Sequence, residues 1–373
     1  MRRILPFAAA LTVALAACSE TPIAPDVPFE PQAAMSDNAP IYLVTFQDGV
    51  DVTSTTAELA RAHGLGVRFV RQHAARGFSA VVPERRVAAL RADPRVLLVE
   101  RDGPVSFVRP IVEKRPGGGG GGTQTTPWGI TRVGGAGNGT GKTAWIIDSG
   151  IDLDHPDLNT SRNCHVAFTG QTADDQNGHG THVAGTIAAI DNGIGVVGVA
   201  ANAYVCAVRV LGPNGSGSWE GVINGVNHVA ANGGNGDVAN MSLGASGSYA
   251  TLERAVTDAA GKGIKFVLAA GNDGQHAGNF TPARVNGANI YTISAIASSS
   301  CMPSWSNYGN PPVDYAAPGV SILSTYKGGG TSTLSGTSMA APHVAGILLL
   351  GGVRTNGFAT CDRDGNADPI ASR

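Results

Sequence analysis

The chain reads as an α/β protein: a parallel sheet with helices on both faces, preceded by a small α+β unit of ferredoxin-like type. Three observations predict this. Residues 143–147, 205–211, 238–243, 265–269 and 290–296 are continuous apolar runs, as expected of strands buried on both faces. They alternate with helical candidates at 183–190, 221–232 and 249–262, and such alternation implies parallel strands joined by crossover helices. Ahead of them, residues 41–100 run in the order β-α-β-β-α-β.

In that first unit, 41–46 (Ile-Tyr-Leu-Val-Thr-Phe) is strand-like, and 53–63 has helical character that stops at Gly64. Residues 67–70 and 77–82 read as two strands. Pro83 opens a second helix, with Val87 and Leu90 on one face and Pro94 beyond its end. Residues 96–100 close the unit as a strand. A run of glycines from Gly117 to Gly122 follows; it cannot pack and is open to proteolysis. The expected division is a leader at 1–18, a Pro- and Ala-rich tether at 19–39, the small unit at 40–108, a glycine-rich linker and maturation region at 109–125, and the main domain at 126–373.

A chain of 373 residues can hold one large domain and a smaller one. Hydrophobic residues make up 42%, enough for a core, and 52 glycines point to many tight turns. The net charge is −2, and only 14% of residues are charged. No basic stripe is present, which argues against a nucleic-acid partner.

Arg2 and Arg3 precede an apolar run over 4–17, too short to span a bilayer and patterned as a signal peptide. It ends in Leu15-Ala16-Ala17-Cys18, which resembles a bacterial lipobox. The resemblance implies lipidation of Cys18, an exported protein, and membrane contact only through that anchor. Four cysteines remain, Cys164, Cys206, Cys301 and Cys361. An even count in an exported chain suggests two disulfides, with three pairings open; we take Cys164 with Cys206 and Cys301 with Cys361. No Cys-x-x-Cys suggests zinc.

Three distant segments carry an acid, a base and a nucleophile: Ile147-Asp148-Ser149-Gly150, Gly178-His179-Gly180-Thr181-His182, and Ser335-Gly336-Thr337-Ser338-Met339-Ala340. A serine hydroxyl is a weak nucleophile until a histidine takes its proton, and the histidine needs a carboxylate to hold its tautomer. Each residue alone has a plainer reading. Asp148 could be a turn or cap, His179 with His182 half of a metal site, and Ser338 a helix N-cap. Together, in the order Asp, His, Ser, the three resemble the signature motifs of the subtilisin-like (subtilase) serine peptidases. Thr126-Pro127-Trp128-Gly129-Ile130 leans toward the proteinase K group. The likeness runs from about Thr126 to Leu350. Gly336-Thr337-Ser338-Met339-Ala340 is not the Gly-x-Ser-x-Gly elbow of α/β-hydrolases.

The resemblance implies a secreted endopeptidase working through an acyl-enzyme. Ser338 would be the nucleophile, His179 the general base and then acid, and Asp148 its orienting carboxylate. Asn272 would donate to the oxyanion. Ser242-Leu243-Gly244 and Gly215-Ser216-Gly217 would be the two walls of a groove that binds extended peptide by strand addition. Ala269-Ala270-Gly271 would line the first subsite. Trp219 would be either a lid over the fourth subsite or ordinary packing at a helix start. The chemistry needs no cofactor. A structural calcium would be held by Asp314 with the backbone carbonyls of Ala288 and Ile290. Ala75-Arg76-Gly77-Phe78-Ser79-Ala80 and Pro94-Arg95-Val96-Leu97-Leu98-Val99-Glu100 resemble the inhibitor-type propeptide of the same family. That implies an autoprocessed zymogen, a monomer, whose partners are protein substrates and its own propeptide.

Two features stand apart. The main domain ends soon after the Ser338 helix, where many relatives continue. The tail Cys361-Asp362-Arg363-Asp364-Gly365-Asn366-Ala367-Asp368 has the flavour of a calcium loop but lacks the bidentate Glu; we read it as a solvated acidic turn. Competing readings are a surface binding module without turnover, and an esterase or peptide transferase. Intact Asp148, His179, Asn272 and Ser338 count against the first.

Overall fold

The computed structural model describes residues 40–108, 111–114 and 123–373. The leader with Cys18, the tether 19–39 and the glycine run 117–122 lie outside the described residues.

The first unit contains strand Ile41–Phe46, helix Val52–His63, strands Gly66–Arg71 and Gly77–Val81, helix Glu84–Ala92 and strand Val96–Arg101. The four strands form one antiparallel sheet in the order Gly66–Arg71, Gly77–Val81, Ile41–Phe46, Val96–Arg101. Asp51 starts the first helix by accepting the Ser54 N–H at 2.7 Å, satisfying one of the orphan donors of its first turn. Gly64 ends it with φ of 63°. Tyr42, Val44, Phe46, Phe78 and Leu90 fill the space between helices and sheet.

The main domain is built on a nine-stranded sheet. Its order is Arg354–Phe358, Pro369–Ser372, Val313–Pro318, Ile290–Ile296, Lys265–Ala269, Val238–Met241, Thr143–Asp148, Tyr204–Arg209, Val166–Ala167. Every pair is parallel except the first. Along Thr143–Asp148 the side chains alternate between two cores. Ala144 and Ile146 join the one that includes helices His179–Ala188 and Thr337–Leu350, whereas Trp145 and Ile147 join the one with helices Trp219–Asn232 and Ala250–Ala260. This period-two division is what makes the strands look uniformly apolar in the sequence.

The apolar run from 183 belongs to a helix that opens at His179, as the His179 motif implies; its first turn, His-Gly-Thr-His, carries no apolar periodicity. One expected boundary moves. The strand expected over 238–243 stops at Met241, and Leu243–Ser246 belongs to another sheet. Between them, the hydroxyl of Ser242 donates to the Ser338 carbonyl at 3.0 Å. The C-terminal segment was not anticipated as strand. It forms an antiparallel pair, Arg354–Phe358 with Pro369–Ser372, and the second of these docks on Val313–Pro318.

The disulfides join Cys164 to Cys206 and Cys301 to Cys361, with Cα separations of 5.4 and 5.2 Å. The second closes a loop of sequence separation 60 and ties the C-terminal pair to the body. By loop-closure entropy, replacing Cys301 and Cys361 with Ser is expected to cost about 4 kcal/mol. Urea unfolding of the double variant measures this, and an unchanged midpoint would refute it.

Candidate active site

Asp148 is the last residue of strand Thr143–Asp148, and His179 is the first of helix His179–Ala188. Both are buried. His179 Nδ1 donates to Asp148 Oδ1 at 2.8 Å, with Oδ2 at 3.0 Å. Gly180 permits this approach: a Cβ there would stand 2.1 Å from the Gly150 carbonyl oxygen and 3.2 Å from Asp148 Cβ.

Asp175, which the sequence reading passed over, sets the start of the helix. Its carboxylate accepts N–H groups from Asn177, Gly178 and Thr181, together with the hydroxyls of Thr181 and Ser149. Ser149 in turn accepts the Gly180 N–H at 3.0 Å. One buried carboxylate thereby ties the His179 turn to the residue after Asp148. Asp and Asn near a helix start were the available signal, and it is a weak one.

Ser338 is fully buried at the start of helix Thr337–Leu350. Its Oγ lies 3.1 Å from the Val108 carbonyl oxygen and 3.3 Å from that of Ser242, which share its single O–H as acceptors. Among the described residues, His179 Nε2 is buried without a hydrogen-bond partner. The ring of Phe107 stacks on the His179 imidazole, centroids 4.8 Å apart and 14° between planes. Adjacent residues Phe107 and Val108 thus lie on the base and on the nucleophile. Asn272 Oδ1 accepts the Thr337 N–H and the Thr337 hydroxyl, both at 2.9 Å. This fixes the amide and leaves its NH2 end turned away from Thr337.

The two segments expected to form groove walls flank a strand that the sequence does not announce, Pro104–Phe107. It pairs antiparallel with Ser216–Ser218 on one side and with Leu243–Ser246 on the other. Ser106 lies opposite both Ser216 and Gly244. The Phe107 N–H bonds the Gly215 carbonyl at 3.0 Å, and the Val108 N–H bonds the Ser242 carbonyl at 3.3 Å. Gly215 has φ of 76°, and a Cβ on it would overlap the Phe107 ring at 1.6 Å. Beyond Val108, the backbone of Ile111–Lys114 pairs antiparallel with strand Gly330–Ser335, three residues before Ser338. The strand escaped notice because it is short, opens on Pro, and has its partners far off in sequence.

Val108 lines a cavity of about 450 Å³ together with Ala269, Ala270, Gly271 and Asn272. Val105 is buried with Trp219 and Tyr249. The two rings stack at 4.8 Å and 19°. Trp219 is also the first residue of its helix, and its N–H bonds the Gly103 carbonyl at 3.0 Å. Trp219 thus packs at a helix start, against Tyr249 and Val105.

Carboxylates of the first unit meet the N-termini of two main-domain helices. Glu100 accepts the N–H groups of Ala250 and Thr251, and Asp102 accepts that of Glu220. Such ends attract negative charge. Asn227 accepts the His73 and Ala74 N–H groups, and Asp258 accepts that of Ala75.

Asp314 is the extra residue of a register shift between Ile290–Ile296 and Val313–Pro318. Its Oδ2 accepts the Thr292 N–H at 2.8 Å. Burial pushes its carboxyl up to about 6, and no described cationic side chain pairs with it. Ile290 opens the neighbouring strand, and Ala288 lies in the turn before it. A lone desolvated carboxylate beside a turn fits a structural cation.

The likeness to known proteins follows this geometry. Residues 139–351 match the model of the subtilase family. The chain belongs to the subtilase family of serine peptidases. It is 41% identical over 271 residues to an alkaline protease of Alkalihalobacillus alcalophilus, covering 71% of this chain and 66% of that one. It is 44% identical over 234 residues to Subtilisin Savinase of Lederbergia lenta, covering 61% and 84%. The alkaline serine exoprotease A of Vibrio alginolyticus is 39% identical over 338 residues, 87% of this chain but 59% of its own length. The crystal structure of a cold adapted subtilisin-like serine proteinase superposes with a TM-score of 0.57 at 38% identity, covering 65% of this chain and 96% of that one.

Two further histidines flank the site, both fully buried. Burial lowers His182 to about 3 and His343 to about 4. Both bind a proton more weakly folded than unfolded, so the unfolded chain alone takes up protons below pH ~6.5, and stability falls from there toward pH 4. His343→Leu is expected to flatten that loss by about 1.4 kcal/mol per pH unit, one proton's worth. Unfolding curves at pH 4.5 to 7 measure it; an identical slope in the variant would refute the assignment.

Proposed function

We propose that the chain is an exported serine endopeptidase, made as a zymogen that cleaves itself at the Val108–Arg109 bond. Residues 40–108 are then the propeptide, which inhibits the enzyme until cut. The observation that carries this reading is the strand Pro104–Phe107 held between both groove walls, with the next carbonyl, that of Val108, 3.1 Å from Ser338 Oγ. Backbone pairing continues at Ile111–Lys114, so the chain has the course of a peptide crossing the nucleophile.

In this reading Ser338 Oγ attacks the Val108 carbonyl carbon while His179 Nε2 takes its proton. The hydroxyl must turn from the Val108 and Ser242 carbonyl oxygens to Nε2, which has no other partner among the described residues. Asp148 holds the tautomer with Nδ1 protonated and stabilises the imidazolium. The Asn272 NH2, oriented through Thr337, and the backbone N–H at the start of the Ser338 helix receive the oxyanion. His179 then returns its proton to the amine of Arg109, and water releases Val108 from the acyl-enzyme. Substrates bind as the internal strand does, with an apolar residue in the 450 Å³ cavity before the cut and another, three residues upstream, against Trp219 and Tyr249. After cleavage the propeptide stays bound through the Glu100 and Asp102 contacts with helix N-termini.

Membership of the proteinase K group, a calcium at Asp314 and lipidation of Cys18 belong to the same reading. If Cys18 carries lipid, cleavage frees the enzyme and leaves the propeptide on the membrane.

Wild type and Ser338→Ala, both exported, are compared by intact mass, N-terminal sequencing and casein digestion. A wild-type product beginning at Arg109, or trimmed further into the glycine run, with a full-length inert variant is expected. Equal processing of both would defeat the self-cleavage reading. Asn272→Ala is expected to lower kcat by about 10²–10³, the range known for such a donor in a subtilisin, with KM little changed. A loss confined to KM would remove Asn272 from the oxyanion role.

A further inference from the structure

From Asp362 to Asp368 a side-chain oxygen recurs at every second residue, on Asp362, Asp364, Asn366 and Asp368. Gly365, with φ of 76°, makes the turn. Short loops hold hard cations by this kind of alternation. The sequence reading took the segment for a solvated acidic turn, and the structure overturns that at Asp368, which is 0% exposed. Asp368 Oδ2 accepts the Ser294 hydroxyl. Among the described residues its Oδ1 is buried without a hydrogen-bond partner, as are Asp362 Oδ1 and Asn310 Oδ1.

The surroundings draw these groups together without neutralising them. Asp362 Oδ2 accepts the Asp368 N–H at 3.2 Å, closing the loop on itself. The Asn310 amide donates to the Asn366 carbonyl at 3.4 Å. Asp362 and Asp364 act on Asp368 as like charges. Arg363, the basic residue of the loop, donates to the Gly274 carbonyl instead. Among the described residues no Lys, Arg or His pairs with any of the three carboxylates. Asp368 is bonded by the Ser294 and Asn310 side chains, and Asp362 by backbone N–H groups of its own loop. What the carboxylates lack is a counter-charge, a costly lack away from water, and a cation supplies it.

We propose that the loop 362–368, with Asn310, binds a calcium ion that locks the C-terminal strand pair onto the sheet. The donors are all hard oxygens on a loop able to adjust, which suits the six to eight ligands of calcium better than the strict octahedron of magnesium. Among the described residues no three acidic, His or Cys groups already converge on one metal position. Coordination therefore requires side-chain rotation, for which the exposed Asp364 is placed. The site is anchored on one side by the Cys301–Cys361 disulfide and on the other by Ser294 of the central sheet. It is independent of the catalytic reading.

The test uses full-length protein carrying Ser338→Ala, which removes self-digestion. Bound calcium is counted after equilibrium dialysis at buffered free calcium, and Tm is read in calcium, magnesium or chelator. Asp362→Asn with Asp364→Asn is expected to remove one equivalent of calcium per chain. It should also remove its share of the calcium-induced Tm rise, roughly 5–10 °C at 100-fold over Kd. Asp364→Asn alone, at an exposed position, should weaken binding while leaving the fold in chelator unchanged. Asp314→Asn serves as a control and should leave this equivalent in place. Unchanged stoichiometry and Tm response in the Asp362/Asp364 variant would overturn the site, and equal stabilisation by magnesium would overturn its assignment to calcium.

Discussion

An extended backbone held away from water must find partners for its N–H and C=O groups. Pro104–Phe107 finds them on both sides, in two walls contributed by different parts of the main domain. Much of the site's geometry depends on that double pairing. It fixes the register, and the register brings the Val108 carbonyl to Ser338 and lays Phe107 on His179. These contacts are made by backbone and so do not depend on side-chain identity. Side chains enter at the spaces beside Val108 and Val105.

The walls and the reacting groups are placed by the sheet beneath them. Asp148 ends a central strand, Ser242 follows the next strand along, and Asn272 follows the one beyond it. All three emerge at the carboxyl edge of parallel strands, where an α/β sheet gathers its functional side chains. His179 and Ser338 come to that edge at the first turns of two helices packed on one face. Small residues let those elements approach, as Gly180 does against Gly150 and Asp148.

Much of this was legible in the residues. The apolar strands could be read because each is buried on two faces, and Asp148, His179 and Ser338 because short motifs surround them. The segments 215–217 and 242–244 were singled out by the family resemblance, and the structure brings both beside Pro104–Phe107. What stayed hidden depends on contacts between distant segments. The pairing of Pro104–Phe107 cannot be inferred from four residues whose partners lie more than a hundred positions away. Asp175, Glu100 and Asp102 look like any surface acid until the helix ends they meet are in place. Asp368 reads as solvated in a polar segment, and only the fold of Pro369–Ser372 against Val313–Pro318 puts it inside.

The sheet ends in weak strands on both sides. Val166–Ala167 has two residues, and Arg354–Phe358 is exposed, carries a charge and breaks register between Thr355 and Phe358. A regular, open edge offers a template for another chain to join. Here neither margin does so. Between Ser216–Ser218 and Leu243–Ser246, by contrast, the main domain holds a strand on both sides and lays its end across Ser338.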